Sequence, residues 1–328
     1  MPTNLPPEFF AVEEKYKAAQ TPEEQIELLE ELISTIPKHK GTDHLRADLR
    51  RRLSRMKEKG QAQKKSGKGA VSPYIIDKEG GGQVALIGYA NVGKSTLVAE
   101  LTNANPEVSP HPYTTWQPTP GMMMIGNVQV QVIDTPPVNR EFVEPEFYVM
   151  LRRADMILLM VDLEADPLTQ MEETIKLLIE NRVVPMHLKD KYDEPGNRFI
   201  PLLVLGNKYD DPSADENYHI FCEFKQDETP CLPISALTKR NIDRMKEYIF
   251  DTLGIMRVYS KSPGEEPDKS SPFVIHKGAT VEEFALQLHR DFFDNLKSAR
   301  VWGSSDFDGQ MVSREYVLED EDVVELKI

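Results

Sequence analysis

The sequence predicts an α/β protein in which a domain with a mostly parallel sheet lies between an N-terminal helical hairpin and a small β-rich C-terminal fold. Two observations predict this arrangement. Between residues 83 and 254, apolar strands alternate with helical segments, which is typical of parallel strands joined by crossover helices. After the polar stretch PGEEPDKSSP, short strands surround one helical segment, which indicates a β-rich fold of roughly 70 residues.

The bulk composition is that of an ordinary protein without a membrane segment. Of the 328 residues, 40% are hydrophobic and 28% are charged, and no run approaches the roughly 20 apolar residues that span a bilayer. The N-terminus lacks a basic stretch followed by an apolar core, so it does not resemble a secretory signal. We therefore expect a cytoplasmic protein with no membrane partner. Cys222 and Cys231 show no metal-binding spacing and are expected to be free, partly buried thiols.

Residues 1–60 are predicted to form the helical hairpin. Thr21 and Glu24 have the spacing of a capping box, and apolar residues follow at helical intervals before Pro37 interrupts the pattern. A second helix is expected over residues 42–59, with one apolar face made of Leu45, Leu49, Leu53 and Met56. Residues 61–82 are rich in Gly, Ser and Lys, which predicts a flexible basic linker.

The charge of the chain is unevenly distributed. The formal net charge of -15 by itself argues against binding to nucleic acid. The segment from Lys38 to Lys68, however, contains twelve Lys or Arg residues and only three acidic residues. This basic segment is either an electrostatic contact for RNA or a solvated charged helix face.

Five strands are predicted in the central domain, at residues 84–88, 128–134, 156–162, 200–206 and 231–235. The stretch between Asp162 and Asn207 is short enough for a plain crossover without an inserted domain. In the C-terminal fold, the segments FVIH, ARVWG and VVELK are predicted strands. One helix is expected from Val281 to about Leu296, capped by Thr280 and Glu283.

Residues 88–96, GYANVGKST, fit the phosphate-binding pattern GxxxxGK[ST] and lie between a predicted strand and a predicted helix. Glycines at such a turn let successive backbone N–H groups point at phosphate oxygens. Lys94 is expected to reach the β- and γ-phosphates, and Ser95 is expected to bind Mg²⁺. The residues predicted to contact the nucleotide here are Gly88, Asn91, Val92, Gly93, Lys94, Ser95 and Thr96.

The base is predicted to be guanine. The residues Asn207, Lys208, Tyr209 and Asp210 follow an apolar strand, and a carboxylate in this NKxD pattern can accept hydrogen bonds from N1–H and the 2-amino group of guanine. Adenine offers no such pair of donors. A loop after the next strand is expected to meet the guanine O6 with a backbone N–H, and it consists of Ser235, Ala236 and Leu237. These motifs together indicate a P-loop GTPase.

Asp134 ends a predicted strand at the position of the acidic residue that holds Mg²⁺ through water in P-loop enzymes. Between it and the phosphate loop lies HPYTTWQPTPG. Thr115 is the candidate switch threonine that contacts Mg²⁺ and senses the γ-phosphate. Thr114 is the near alternative, and a purely structural loop is the third.

The chain resembles the developmentally regulated GTP-binding proteins of the Obg-HflX group. The segments that carry the resemblance are KKSGKG, VALIGYANVGKSTL, PYTTWQPTPGMM, RRADMILLMVD, NKYD, RVYSKSPGEEPDKSSPFVI, VWGSS and LEDEDVVEL. The resemblance implies that residues 83–254 are the GTPase domain and residues 255–328 a TGS domain, a ubiquitin-like β-grasp module. It also implies GTP binding with Mg²⁺, slow hydrolysis, and a ribosome, ribosomal RNA or family-specific protein as partner, with no DNA partner.

The sequence departs from this family in the segment after Asp134. The family pattern DxPG is replaced by DTPP, so Pro137 stands where a glycine normally donates its N–H to the γ-phosphate. No glutamine follows, and no catalytic base is assigned.

Asn91 stands where the closest family members usually have serine. It is either a ligand for K⁺, which would stimulate hydrolysis, or a residue that stabilises the loop turn. The candidate catalytic residues are Lys94, Thr115 and Asn91.

Three functions are compatible with the motifs. The first is a slow GTPase that cycles between GTP and GDP. The second is a module in which GTP gates association with RNA or the ribosome while hydrolysis is vestigial, a possibility that Pro137 raises. The third, an ATPase, is disfavoured by the NKYD motif.

Overall fold

The computed structural model describes residues 72–102, 117–139, 143–225 and 229–328, together with Leu28, Leu32 and Thr35. Residues Pro73–Ile328 form one compact unit. The predicted N-terminal hairpin lies outside the described residues except for these three positions, each of which is helical.

The first part of the compact unit is built on a sheet of six strands in the order β2-β3-β1-β4-β7-β8. All neighbouring strands are parallel except the β2–β3 pair. Two short strands, β5 and β6, form a separate parallel pair. The strands are β1 Gln83–Gly88, β2 Thr119–Ile125, β3 Val128–Asp134, β4 Met156–Asp162, β5 Val183–Pro185, β6 Arg198–Ile200, β7 Leu202–Asn207 and β8 Cys231–Pro233.

Among the described residues, five helices cover both faces of this sheet. They are α1 Lys94–Leu101, α2 Pro145–Arg153, α3 Pro167–Glu180, α4 Ser213–Phe224 and α5 Ile242–Leu253. One apolar cluster joins Ala85 and Ile87 of β1 to buried residues of α2, α3 and α4, whereas a second joins Val84 and Leu86 to α1 and α5. Because successive residues of a strand point to opposite faces, the two clusters lie on opposite sides of the sheet.

The predicted strands of this sheet are confirmed with shifts of a few residues at their ends. The edge strand β2 was not predicted, because its sequence TPGMMMI contains proline and glycine and shows no clear alternation. The 162–207 connection is a crossover, and it also carries the β5–β6 pair and a short 3-10 helix, Met186–Lys191. Residues 198–206 form two strands, β6 and β7, on either side of Pro201.

Part of the predicted linker packs against the sheet. Tyr74 is buried, and its hydroxyl donates to Glu144. Gly81 N donates to Gln129 O over 2.8 Å, and Lys78 forms an ion pair with Asp155. The expectation of a flexible linker over residues 61–82 is therefore wrong for residues 73–82, because Tyr74 and Gly81 make specific contacts that composition does not reveal.

The C-terminal part of the unit is a five-stranded sheet in the order β10-β9-β13-β11-β12, with one helix packed against it and a second, shorter helix beside the first. Its central pair, β9 and β13, is parallel, and the other pairs are antiparallel. The elements are β9 Ile255–Ser260, β10 Phe273–His276, α6 Val281–Leu288, α7 Arg290–Asn295, β11 Ser298–Trp302, β12 Gln310–Val312 and β13 Asp322–Lys327.

The single helix predicted from Val281 to Leu296 is divided in two at His289. The capping box of Thr280 and Glu283 is present as predicted. His289 has an extended backbone, with φ of -172° and ψ of 149°, and its ring accepts a hydrogen bond from Asp291 N. It therefore ends α6 and caps α7.

Candidate functional site: a nucleotide site at the carboxyl edge of the sheet

The predicted nucleotide motifs meet at one edge of the larger sheet. In the parallel register, Leu86 lies opposite Asp134, and Asp162 lies opposite Asn207. The carboxyl ends of β1, β3, β4, β7 and β8 therefore share this edge, where ligands bind in open α/β sheets.

At two of its glycines, the phosphate loop lies so close to neighbouring residues that a side chain would not fit. Gly88 has φ of 152°, and a Cβ there would lie 2.4 Å from Met160 O. Gly93 has φ of 101°, and its Cβ would lie 2.4 Å from Asn207 Nδ2. Both positions therefore require glycine, and the loop leads directly into the N-terminus of α1.

Lys94, the first residue of α1, is held inside this loop. Its side chain is buried, and Nζ donates to Gly88 O over 3.0 Å and to Tyr89 O over 2.8 Å. Burial lowers the pKa of Lys94 to about 8, and the negative charge of Asp134 opposes that shift. The ammonium group therefore lies within the phosphate loop, next to the N-terminus of α1.

Ser95 and Asp134 form the candidate metal centre. Ser95 Oγ donates to Asp134 Oδ2 over 2.7 Å. The other carboxylate oxygen, Oδ1, is buried and has no hydrogen-bond partner among the described residues. Burial raises the pKa of Asp134, against the opposing effects of Ser95 and Lys94. An uncompensated carboxylate oxygen beside a hydroxyl suits a hard cation such as Mg²⁺.

Asn207 connects the phosphate loop to the predicted base-binding loop. Its Nδ2 donates to Val92 O over 2.8 Å, and its Oδ1 accepts from Ala236 N over 3.0 Å. Ser235 Oγ in turn donates to Asp210 Oδ1 over 2.5 Å. The structure therefore brings Asn207, Asp210, Ser235 and Ala236 together, while the side chain of Leu237 is 75% exposed.

The other NKYD residues have partners that the motif did not indicate. Lys208 Nζ lies 2.6 Å from Asp162 Oδ2 and 3.1 Å from Glu164 Oε2. The guanidinium of Arg240 lies 3.8 Å from the ring centroid of Tyr209. These contacts fix the loop after β7 from both sides.

The segment after Asp134 touches the phosphate loop at two points. Val138 N donates to Gly88 O over 3.2 Å, and the exposed Asn139 accepts through Oδ1 from Ala90 N over 3.0 Å. Pro136 and Pro137, which have no N–H, are buried between these contacts and β3. The motifs did not indicate Asn139, and its place directly after DTPPV was the signal available in the sequence.

Two predicted residues cannot be located in the site. Thr115 and its alternative Thr114 lie outside the described residues.

Cys222 and Cys231 are free thiols with intermediate exposure, as predicted. In the described ranges, no group of three or more His, Cys, Asp or Glu side chains could hold a metal ion by itself.

The fold and the motifs at the sheet edge define the class: a P-loop GTP-binding protein with a second, β-grasp domain. Two family models match the chain accordingly. Residues 83–189 match the model described as a 50S ribosome-binding GTPase, and residues 256–328 match the TGS domain.

Relatives extend over nearly the whole chain. A GTP-binding protein of Methanocaldococcus jannaschii is 30% identical over 93% of this chain and 93% of its own length. Developmentally-regulated G-protein 1 of Arabidopsis thaliana is 26% identical, covering 92% of this chain and 90% of its own. Ribosome-interacting GTPase 1 of Saccharomyces cerevisiae is 23% identical, covering 92% of this chain and 97% of its own length. The chain belongs to the family of developmentally regulated GTP-binding proteins.

The YchF GTPase of Schizosaccharomyces pombe is a structural neighbour. It has a TM-score of 0.55 and 12% sequence identity, covering 77% of this chain and 100% of its own. At this identity, the likeness concerns the fold alone.

Proposed function

We propose that this protein binds GTP and GDP with Mg²⁺, hydrolyses GTP slowly, and acts as a nucleotide-dependent switch on the ribosome or on RNA in translation. The observation that carries the proposal is the Asn207 side chain, which bonds to both Val92 O and Ala236 N. The phosphate loop and the base-binding loop are thereby parts of one hydrogen-bonded unit. Asp210, held by Ser235, is the proposed acceptor for guanine N1–H and the 2-amino group.

The phosphate end of the site provides charge and backbone donors. We assign Lys94 to the β- and γ-phosphates, and Ser95 and Asp134 to Mg²⁺, with Thr115 as the third proposed metal contact. Bound Mg²⁺ would neutralise phosphate charge. Lys94 exchanges its two carbonyl acceptors for phosphate oxygens, which are stronger acceptors because they are charged.

Hydrolysis is expected to be slow, because the sequence has no glutamine directly after DTPP that could position water. Val138 is apolar and follows two prolines, so this segment offers no glutamine at that point. Asn91 keeps its two interpretations. The backbone of Asn91 has φ of 64°, which favours a role in the turn because asparagine tolerates the left-handed region. The alternative, K⁺ binding by Asn91, predicts faster turnover in KCl than in NaCl.

The partner proposal is based on the relatives and on charge. The matching GTPase model is described as ribosome-binding, and the yeast relative is named as ribosome-interacting. The basic segment from Lys38 to Lys68 is the proposed contact for ribosomal RNA, with an affinity that falls as salt rises.

No described helix is both long and apolar enough to cross a bilayer. A cytoplasmic location and a family-specific protein partner remain part of the proposal.

A GTP-gated binding module with vestigial hydrolysis is the second candidate. Pro137 favours it, because the backbone at that position cannot contact the γ-phosphate. In this case GTP and GDP would change ribosome association without measurable turnover.

Turnover of GTP and ATP, measured in matched KCl and NaCl with and without ribosomes, tests these functions. We expect GTP hydrolysis above background, abolished in Lys94→Ala and retained in Lys176→Ala, which removes an exposed lysine of α3. Nucleotide-dependent cosedimentation with ribosomes but no turnover would favour the binding module. Absence of GTP and GDP binding in the wild-type chain would refute both.

A further inference from the structure

The backbone after Asp134 has few N–H groups that could donate a hydrogen bond to a phosphate group. Pro136 and Pro137 have no N–H, and Val138 N already donates to Gly88 O over 3.2 Å. Thr135 Oγ is also committed, because it donates to Leu86 O over 2.7 Å. Beyond Thr135, a donor to the γ-phosphate in this segment must therefore come from a group that follows Val138.

Asn139 is the next residue, and its side chain already touches the phosphate loop. Its Oδ1 accepts from Ala90 N over 3.0 Å, a contact that spans 49 positions of sequence. Ala90 lies in the loop whose N–H groups converge on the proposed phosphate site. Asn139 is exposed, and its Nδ2 has no hydrogen-bond partner within the described part of the chain.

A carboxamide at this position can do what a backbone N–H cannot. It accepts through Oδ1 and donates through two N–H bonds of Nδ2, so one side chain can serve the loop or an anion. A third phosphate group would attract the nearby N–H donors, because charged acceptors form stronger hydrogen bonds than a neutral amide oxygen. A diphosphate would not bring that charge to the outer end of the loop.

We propose that Asn139 is the positioning residue that couples the segment after β3 to the γ-phosphate in this chain, in place of the N–H that Pro137 lacks. With a nucleoside diphosphate bound, Asn139 Oδ1 holds Ala90 N–H. With a triphosphate bound, Asn139 Nδ2 donates to a γ-phosphate oxygen. Residues 135–139 then move toward the γ-phosphate together with this side chain. This inference rests on the proposed binding of GTP and GDP.

Affinities for Mg–GDP and for a non-hydrolysable Mg–GTP analogue test the proposal in Asn139→Ala and Asn139→Asp. In Asn139→Ala we expect analogue affinity to fall by about 10- to 150-fold, the size of one hydrogen bond to a charged group, and GDP affinity to stay within about twofold. Asn139→Asp should weaken analogue binding further, because a carboxylate repels the γ-phosphate. Asn217→Ala, an exposed asparagine of α4, is the matched control and should change neither affinity.

The two levels of failure are distinguishable. If the wild-type chain binds neither nucleotide, the proposed function itself is wrong. If it binds both, and Asn139→Ala changes neither affinity or lowers both equally, the sensor role is refuted and the binding site stands. Thermal unfolding of each variant separates a loss of binding from a loss of folding.

Discussion

At the scale of single residues, the candidate nucleotide site depends on atoms from loops far apart in the sequence. Asn207 Nδ2 reaches Val92 O, 115 positions away, and occupies the space that a side chain at Gly93 would need. The close packing that makes Gly93 obligatory therefore also aligns the phosphate loop with the base-binding loop.

Replacing Gly93 by alanine should abolish nucleotide binding. We expect the free energy of unfolding to fall by about 2–4 kcal/mol, because the left-handed conformation and the clash with Asn207 both act against a Cβ. Gly254→Ala is the control: φ is 61° there, but no atom lies within 4 Å of the Cβ position. That variant should lose only about 1 kcal/mol and keep GDP binding. Equal GDP affinity in both variants, measured by calorimetric titration, would contradict the assignment.

Asp210→Asn should weaken GDP binding by about 100-fold, because an amide cannot accept both guanine hydrogen bonds as a charged carboxylate does. Asp211→Asn, one residue further, is the matched control. Asp211 is exposed and bonds to Ser213 rather than to the base-binding loop. Equilibrium binding of labelled GDP separates the two variants, and similar losses in both would argue against guanine recognition by Asp210.

At the scale of elements, the apolar strands were predictable and the breaks in regular structure were not. Strands such as MILLMVD are buried along their whole length, which gives a strong sequence signal. The capping box of Thr280 was also visible, because it depends on residues three positions apart. The division of the helix at His289 was missed, since the residues on both sides favour helix and the local backbone decides the outcome.

Asp320 stabilises the C-terminal domain through Arg257 on β9. It accepts hydrogen bonds from Arg257 N over 2.7 Å and from Arg257 Nε over 3.1 Å. Burial raises the pKa of Asp320, but the hydrogen bonds and charge of Arg257 outweigh it, so the pKa lies below its usual value. The stabilisation is therefore present above the unfolded pKa of about 3.9 and is lost as pH falls through the folded pKa.

We expect Asp320→Asn to lower the free energy of unfolding by about 1 kcal/mol at pH 7, since partial exposure screens the interaction. The difference from wild type should shrink as pH falls below about 4. Urea unfolding at a series of pH values measures it, with Asp308→Asn, an exposed carboxylate, as the control. A difference independent of pH would show that charge is not the cause.

At the scale of the whole molecule, the GTPase and TGS domains are joined by specific contacts within one compact unit. Asn127, in the turn between β2 and β3, donates through Nδ2 to Tyr259 OH over 2.9 Å and to Lys269 O over 3.1 Å. Lys277 N donates to Gly254 O over 2.7 Å. Ile255 at the start of β9 belongs to the apolar cluster of α1 and α5. The two domains are therefore expected to unfold together.

Mg–GDP should consequently stabilise the TGS domain as well as its own site. At a concentration 100 times Kd, the ligand should raise the free energy of unfolding by about 2.7 kcal/mol. The chain has two tryptophans, and Trp116→Phe leaves Trp302 of β11 as a fluorescent reporter in the TGS domain. We expect its unfolding midpoint to rise with GDP in step with far-UV circular dichroism. A midpoint that GDP leaves unchanged would show that the domains unfold independently.

The fold class, the five main parallel strands and the motifs of the candidate nucleotide site can all be recognised in the sequence. These features depend on local patterns: apolar runs, and glycines and polar residues at fixed spacing. Which distant side chains meet depends on how the elements pack in three dimensions. This packing places Asn207 between two loops, Asn139 on Ala90 N, and Tyr74 in the core. The reason is physical: such contacts depend on the register of the sheet and on packing between elements, and no short sequence pattern encodes them.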